Sequence, residues 1–239
     1  MEQVSGRAGF TDSALVRLLA SLTDGNVPES GKSFSDLLSQ WLGWTDAISL
    51  YSALNDQPAT AQRDTVTTPG AEADSDEGEF ARVRTALLVA IAEDSAFLRS
   101  DAIDTTTDFA PYRRRYLARQ HTMALRIGPL RGRLRATLER RSPAMARLAA
   151  VDAVMEQALS GHEHRVMAGV PLLLEKYFKR LLEGARTAQA GQTAEEPGNE
   201  RQLEAWLDRF RDDMQAVALA ELDTRLQPVE ALLEALRKN

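Results

Sequence analysis

Ten arginines lie between Pro111 and Arg141, and they are the residues of this chain with the clearest capacity for chemistry. The segment contains no lysine and one acidic residue, so its net charge is +9 in a chain whose formal net charge is −6. A guanidinium group presents a planar fork of donors that matches carboxylates and phosphates. The segment therefore predicts an anionic group against it, either inside the fold or on a binding partner.

Three interpretations of this Arg-rich segment, residues 111–141, are open at this point. The arginines go round the predicted helices and form no single stripe, which favours ion pairs within the fold or with a partner protein. Nucleic acid or an anionic surface is the alternative partner, and its signature is binding that weakens steeply with salt. A solvated face is the third interpretation. The candidate partner- or anion-binding residues here are Arg113, Arg114, Arg115, Arg119, Arg131 and Arg135.

The sequence His162-Glu163-His164 invites a metal-site interpretation, but the spacing argues against it. On a helix, residues two positions apart do not face each other, so the two histidines cannot both bind one ion. Neither a Glu-x-x-His nor a His-Glu-x-x-His pattern occurs in the chain. We therefore expect no metal at these residues.

Other catalytic signatures are also missing from the sequence. There is no glycine-rich phosphate-binding motif and no Gly-x-Ser-x-Gly, and the lack of cysteine excludes disulfides and thiolate metal sites. The carboxylate pairs Asp152 with Glu156 and Asp212 with Asp213 have no such signature nearby, so we expect both on solvated faces. We therefore expect a protein that is not an enzyme and that has no catalytic residue and no cofactor.

The elements that must position these residues are helices, because apolar residues recur at helical spacing and no segment alternates with period two. Leu130, Leu134 and Leu138, for example, repeat every four residues. This pattern predicts an all-α fold, as a helical bundle or elongated helical hairpins with two flexible linkers. Gly128-Pro129, Gly169 to Pro171 and Gln227-Pro228 are the expected kinks or restarts.

One helix, opened by Ser33, is expected to carry a single buried stripe from Phe34 through Trp41 to Ile48. Trp41, Trp44 and the nearby Tyr51 make this the richest aromatic patch of the chain. Burial in a helical core is the usual use of tryptophan. A docking surface is the second interpretation, since Trp and Tyr anchor interfaces. Trp41 and Trp44 are therefore added to the candidate partner-binding residues.

The domain organisation follows from shifts in composition. Between 55 and 78 the chain has six acidic residues, one arginine and few apolar residues, which predicts a disordered linker. The predicted order is an N-terminal helical pair (1–54), the acidic linker (55–78), a central helical region (79–185) that includes the Arg-rich segment, a second linker (186–199), and a C-terminal helical pair (200–239) packed on the central region.

No signal-peptide pattern opens the chain, and the longest apolar run, Ala86–Ala92, is far shorter than a membrane span. These features predict a cytoplasmic protein without membrane insertion.

Five stretches carry a resemblance to a known family: SFSDLLSQWLGWTDAISLYSALN, FAPYRRRYLARQ, IGPLRGRLRATL, SPAMARLAAVDAVMEQAL and WLDRFRDDMQAVALAELDTRLQPVEALLEAL. Together they resemble an uncharacterised proteobacterial family defined only as a domain of unknown function. The resemblance covers nearly the whole chain apart from the linkers, and it transfers no role to any residue. It implies a bacterial, cytosolic and mostly helical protein, encoded near envelope proteins such as peptidoglycan binders and coiled-coil membrane proteins.

These observations together predict a non-enzymatic interaction or scaffold protein. It would act through helical surfaces on a partner protein or on itself, as a cytoplasmic accessory of an envelope-associated complex. The alternative is a nucleic-acid or anionic-surface binder that uses the Arg-rich segment.

Overall fold

The computed structural model describes residues 13–23, 34–55, 69–94, 108–190 and 199–238. Within these ranges there are seven α-helices and no strand, which confirms the predicted all-α fold. The helices are α1 (Ala14–Thr23), α2 (Phe34–Trp41), α3 (Trp44–Asn55), α4 (Pro69–Ala92), α5 (Ala110–Arg141), α6 (Pro143–Ala190) and α7 (Asn199–Lys238). No helix in the described part of the chain is long and apolar enough to cross a membrane.

The single helix expected from Phe34 to Ile48 is two helices in the structure, and this prediction is wrong. Gly43 precedes α3, and its N–H donates to Oδ2 of Asp46 at 3.0 Å. A carboxylate three residues inside a helix that reaches back to the capping N–H is a recognised start signal. The restart changes the direction of the side chains that follow, so Ile48 lies on an exposed face and not on a buried stripe.

Helix α4 begins at Pro69, earlier than the start near Glu79 that composition predicted. Residues 69–78 of the predicted linker are therefore helical, and residues 56–68 lie outside the described residues. The helix is favoured because proline suits the first helical position and because Asp76 is buried against an arginine of α5. The second predicted linker, residues 186–199, is also partly helical, because α6 continues to Ala190 and α7 begins at Asn199. Residues 191–198 lie outside the described residues.

The prolines Pro129, Pro171 and Pro228 all lie inside continuous helices. The predicted C-terminal helical pair is consequently one helix, α7. Its apolar residues on both sides of Pro228 explain the difference: Leu222, Leu226, Val229 and Leu233 follow one face and are all buried. Packing of that face outweighs the backbone hydrogen bond that a proline removes.

The helices form two compact units. Unit 1 comprises residues 1–31, 88–121 and 168–224. Its core holds a cluster of aromatic rings centred on Phe210, which meets Tyr112 edge-on at 5.3 Å and Phe178 edge-on at 5.0 Å between ring centroids. Edge-to-face contacts of this kind add to the stabilisation that burial of the rings provides.

Unit 2 comprises residues 32–87, 122–167 and 225–239. Leu130, Leu134 and Leu138 of α5 are buried here, which confirms their predicted place on one helix face. Val83 and Leu87 of α4 are buried in the same unit. Leu226 and Leu233 of α7 are also buried, so the core of unit 2 is built from residues of α4, α5 and α7. The arginines of α5 alternate in sequence with its buried leucines.

Candidate interaction site

Two arginines of the Arg-rich segment are held by two carboxylates of α6. Arg131 donates to both oxygens of Asp152, at 2.9 Å from Nε and 2.6 Å from Nη2. Arg135 donates through Nη1 to Glu156 at 2.5 Å and to Asp152 at 3.0 Å. The prediction of a solvated face for Asp152 and Glu156 is wrong, because both carboxylates neutralise half-buried guanidinium groups.

Two further arginines neutralise carboxylates that are almost fully buried. In unit 1, Arg119 donates to Asp94 at 2.6 Å, and the Asp94 side chain is only 1% exposed. In unit 2, Arg133 donates to Asp76 at 2.8 Å, and the Asp76 side chain is 2% exposed. A carboxylate removed from water in this way requires a charged or hydrogen-bonding partner. These arginines therefore have a structural role.

Of the six remaining arginines, one bonds the end of a helix, Arg140 donates to the Thr137 hydroxyl at 3.4 Å, and four form an exposed group. Arg141 donates to the backbone oxygen of Leu236 at 2.8 Å, near the end of α7 where helix carbonyls lack partners. Arg113, Arg114, Arg115 and Arg126 are exposed, and none of them forms an ion pair with any described residue. Of the six arginines predicted as binding residues, Arg113, Arg114 and Arg115 are thus the ones that are exposed and have no ion pair within the described ranges.

Buried polar contacts that the sequence did not reveal lie in unit 1. The Glu221 carboxylate is fully buried, and it accepts from the Tyr116 hydroxyl at 2.8 Å and from the Gln120 amide at 3.0 Å. The Tyr177 hydroxyl donates to Asp213, so the expected solvated face is also wrong for this carboxylate. Burial, and then the Asp213 carboxylate, raises the pKa of Tyr177 to about 12. The sequence contained one indication of the buried carboxylate, because Glu221 interrupts an otherwise apolar run of α7.

Helix α3 presents a large apolar surface to solvent. Trp44 is 84% exposed, Tyr51 71%, Leu54 55% and Ile48 54%, and no residue of α3 is buried. Residues spaced by three and four lie on one side of a helix, so these side chains are neighbours. We call Trp44, Ile48, Tyr51 and Leu54 the α3 face. For Trp44 the expectation of core burial is wrong, and the structure instead exposes it.

Trp41 does not belong to the α3 face. Its ring stacks on the imidazole of His162 in α6, with ring centroids 4.1 Å apart and planes inclined by 26°. This contact attaches α2 to α6, and it gives His162 a structural role that the sequence did not suggest. No group of three or more His, Asp or Glu residues in the described ranges could hold a metal ion.

Replacement of Asp152 tests the arginine network. We expect Asp152→Ala to lower the free energy of unfolding by about 1–3 kcal/mol, because Arg131 and Arg135 remain half-buried without their shared partner. Chemical denaturation measures the change. Asp212→Ala is the matched control, since Asp212 is exposed and forms no ion pair or hydrogen bond with the described residues. Equal stability of the two variants would contradict a structural role for the network.

Replacement of His162 tests the attachment of α2. We expect His162→Ala to speed hydrogen exchange of the α2 amides several-fold, because the stacked ring that holds Trp41 is lost. His164→Ala provides the control, as His164 is exposed and forms no ring contact, ion pair or hydrogen bond with the described residues. Hydrogen exchange read by mass spectrometry makes the comparison. Unchanged exchange in α2 for both variants would show that the stack does not hold this helix.

Comparison with known proteins identifies the family but no activity. No match was found among curated proteins or among solved structures. A family model described as Protein of unknown function (DUF3348) matches residues 1–238, so the resemblance to a domain of unknown function over nearly the full chain is confirmed. The chain belongs to this family.

Proposed function

We propose that this chain is a non-enzymatic interaction protein that binds a protein partner through the α3 face. The observation that carries the proposal is the exposure of Trp44 and Tyr51 on the same side of a helix that buries none of its residues. Isolated apolar residues are ordinary on protein surfaces, whereas contiguous apolar patches mark interaction sites. Tryptophan and tyrosine are also enriched among the residues that dominate binding energies.

The size of the α3 face supports a binding role. Aromatic side chains bury 150–250 Å² each, so the exposed parts of Trp44 and Tyr51 offer on the order of 300 Å². At about 25 cal/mol per Å², covering this area is worth on the order of 7 kcal/mol before the costs of association. That gain is large enough for these two rings to act as anchors of an interface, with Ile48 and Leu54 beside them.

Binding of nucleic acid or an anionic surface is the second candidate function. The exposed group Arg113, Arg114 and Arg115 favours it, since none of the three has an ion pair with a described residue. Two observations place it second. Other arginines of the segment are engaged by carboxylates of the chain, and Tyr112 and Tyr116 are buried, which removes the aromatic surfaces on which bases stack.

A cytoplasmic role beside a bacterial envelope complex is the setting we propose. It rests on the family resemblance and on the gene surroundings that the resemblance implies. In that setting the chain acts as an accessory or scaffold, and the α3 face is the surface that meets the complex.

Affinity capture in the native organism tests the proposed function. We compare the wild type with the double variant Trp44→Ala/Tyr51→Ala and with Leu125→Ala, which removes a 61% exposed leucine of α5 outside the α3 face. A true partner is retained by the wild type and the Leu125 variant and reduced about tenfold or more by the double variant, as loss of two anchors predicts. Capture of the same proteins by all three chains contradicts the proposal.

Washes at two salt concentrations separate the second candidate in the same experiment. Nucleic acid that is retained at low salt, released at high salt and lost in the Arg113→Ala/Arg114→Ala/Arg115→Ala variant would favour anion binding.

A further inference from the structure

We infer that Arg211 of α7 forms a buried binding site for a small oxyanion, a carboxylate or a phosphate group, in unit 1. The inference is independent of the proposed function, because Arg211 belongs to unit 1 and the α3 face to unit 2.

Arg211 lies on the buried side of α7. Its neighbours one turn away, Leu207 and Met214, are buried in unit 1, and Arg211 itself is only 5% exposed. An arginine near a protein surface ordinarily keeps its guanidinium group in water while its aliphatic stem covers apolar surface. At Arg211 the charged group itself is buried, so its charge and its N–H donors must be satisfied within the fold or by a bound group.

The described residues do not satisfy this guanidinium group. Nε and Nη2 of Arg211 are both buried, and neither has a hydrogen-bond partner in the described part of the chain. Asp208 approaches Nη1 at 3.5 Å, which is well beyond the roughly 2.7–2.9 Å of a charge-assisted hydrogen bond. That contact leaves the edge formed by Nε and Nη2 without an acceptor among the described residues.

Three other arginines of the chain show what such an edge binds. Nε of Arg119, Arg131 and Arg133 donates to a carboxylate at 2.6, 2.9 and 2.8 Å, respectively. Their side chains are 23%, 13% and 48% exposed, whereas that of Arg211 is 6% exposed. The most deeply buried of these four guanidinium groups is therefore the one whose Nε has no acceptor within the described ranges.

The shape of the Nε and Nη2 edge indicates the chemistry of the ligand. In Arg131 the same two nitrogens donate to both oxygens of Asp152. Two parallel hydrogen bonds of this kind match carboxylate and phosphate groups. A buried water molecule accepts hydrogen bonds but supplies no negative charge, so the guanidinium charge would stay buried without compensation. A small oxyanion supplies both the acceptors and the charge.

Replacement of Arg211 in the full chain tests the inference. Methionine keeps an unbranched stem without charge, and an apolar residue in place of buried charge is often neutral or stabilising. In Tris–chloride buffer we therefore expect Arg211→Met to unfold at the urea midpoint of the wild type or above it. Sodium formate or sodium phosphate should reverse this order, because an anion that binds the folded wild type raises its midpoint.

A matched variant separates a binding site from a general salt effect. Phosphate stabilises folded proteins through its exclusion from their surfaces, and this effect acts on every variant. Arg209→Met removes a side chain that is 71% exposed two residues away, so it should respond to both anions as the wild type does. Calorimetric titration measures binding directly. We expect one formate or phosphate per wild-type chain and at least about tenfold weaker binding by Arg211→Met.

Each outcome of these measurements decides the inference. The anion that binds more tightly identifies the ligand group as a carboxylate or a phosphate. A loss of stability in Arg211→Met that is the same with and without added anion would show that the chain itself pairs Arg211, and the inference would be wrong. Equal binding by Arg211→Met and the wild type would also overturn it. The lack of saturable binding of either anion to the wild type would do so without any variant.

Discussion

The pairing of helix α5 arginines with carboxylates on neighbouring helices is the constraint on which the packing depends. In unit 2, α5 must bury Leu130, Leu134 and Leu138 while Arg131, Arg133 and Arg135 lie between them in sequence. Guanidinium groups so close to a core need charged partners. Helix α4 supplies Asp76, and helix α6 supplies Asp152 and Glu156. Charge therefore specifies the neighbours of α5 along with apolar spacing.

Helix α3 presents the opposite situation. None of the described residues removes its large apolar side chains from water. The buried carboxylates described above, by contrast, are each paired with an arginine or a hydrogen-bond donor. The cause is local, since Asp46 and Gly43 restart the helix and turn Trp44 and Ile48 outward. An apolar surface produced by a defined helix start is a specific feature of the fold, and it is the reason that we assign the binding role to α3.

Local pattern predicted the all-α class and the buried faces of helices, but it misplaced several helix ends and could not give the long-range contacts. The repeat of Leu130, Leu134 and Leu138 was sufficient to predict a buried helix face. The break at Gly43 was missed because the apolar spacing continues through it, whereas the capping contact of Asp46 depends on backbone geometry. The partner of Arg133 could not be found from spacing, because Asp76 lies 57 residues away and its position depends on how α4 packs.

The candidate site shows the same limit. Sequence singled out Trp41 and Trp44 together, but the structure separates them: Trp41 stacks on His162 and Trp44 is exposed. Two residues so close in the chain differ because the helix break lies between them. The sequence likewise presented the Arg-rich segment as one feature. In the structure, carboxylates distant in sequence pair with some of its arginines and not with others.

The most direct test of the account is the environment of Trp44 in the free chain. Trp41→Phe/Trp206→Phe leaves Trp44 as the only tryptophan and keeps an aromatic ring at both other positions. The account predicts red-shifted fluorescence that acrylamide quenches as readily as a solvated indole. Blue-shifted emission protected from quenching would show that the α3 face is already covered, and the proposed binding role of this face would be wrong.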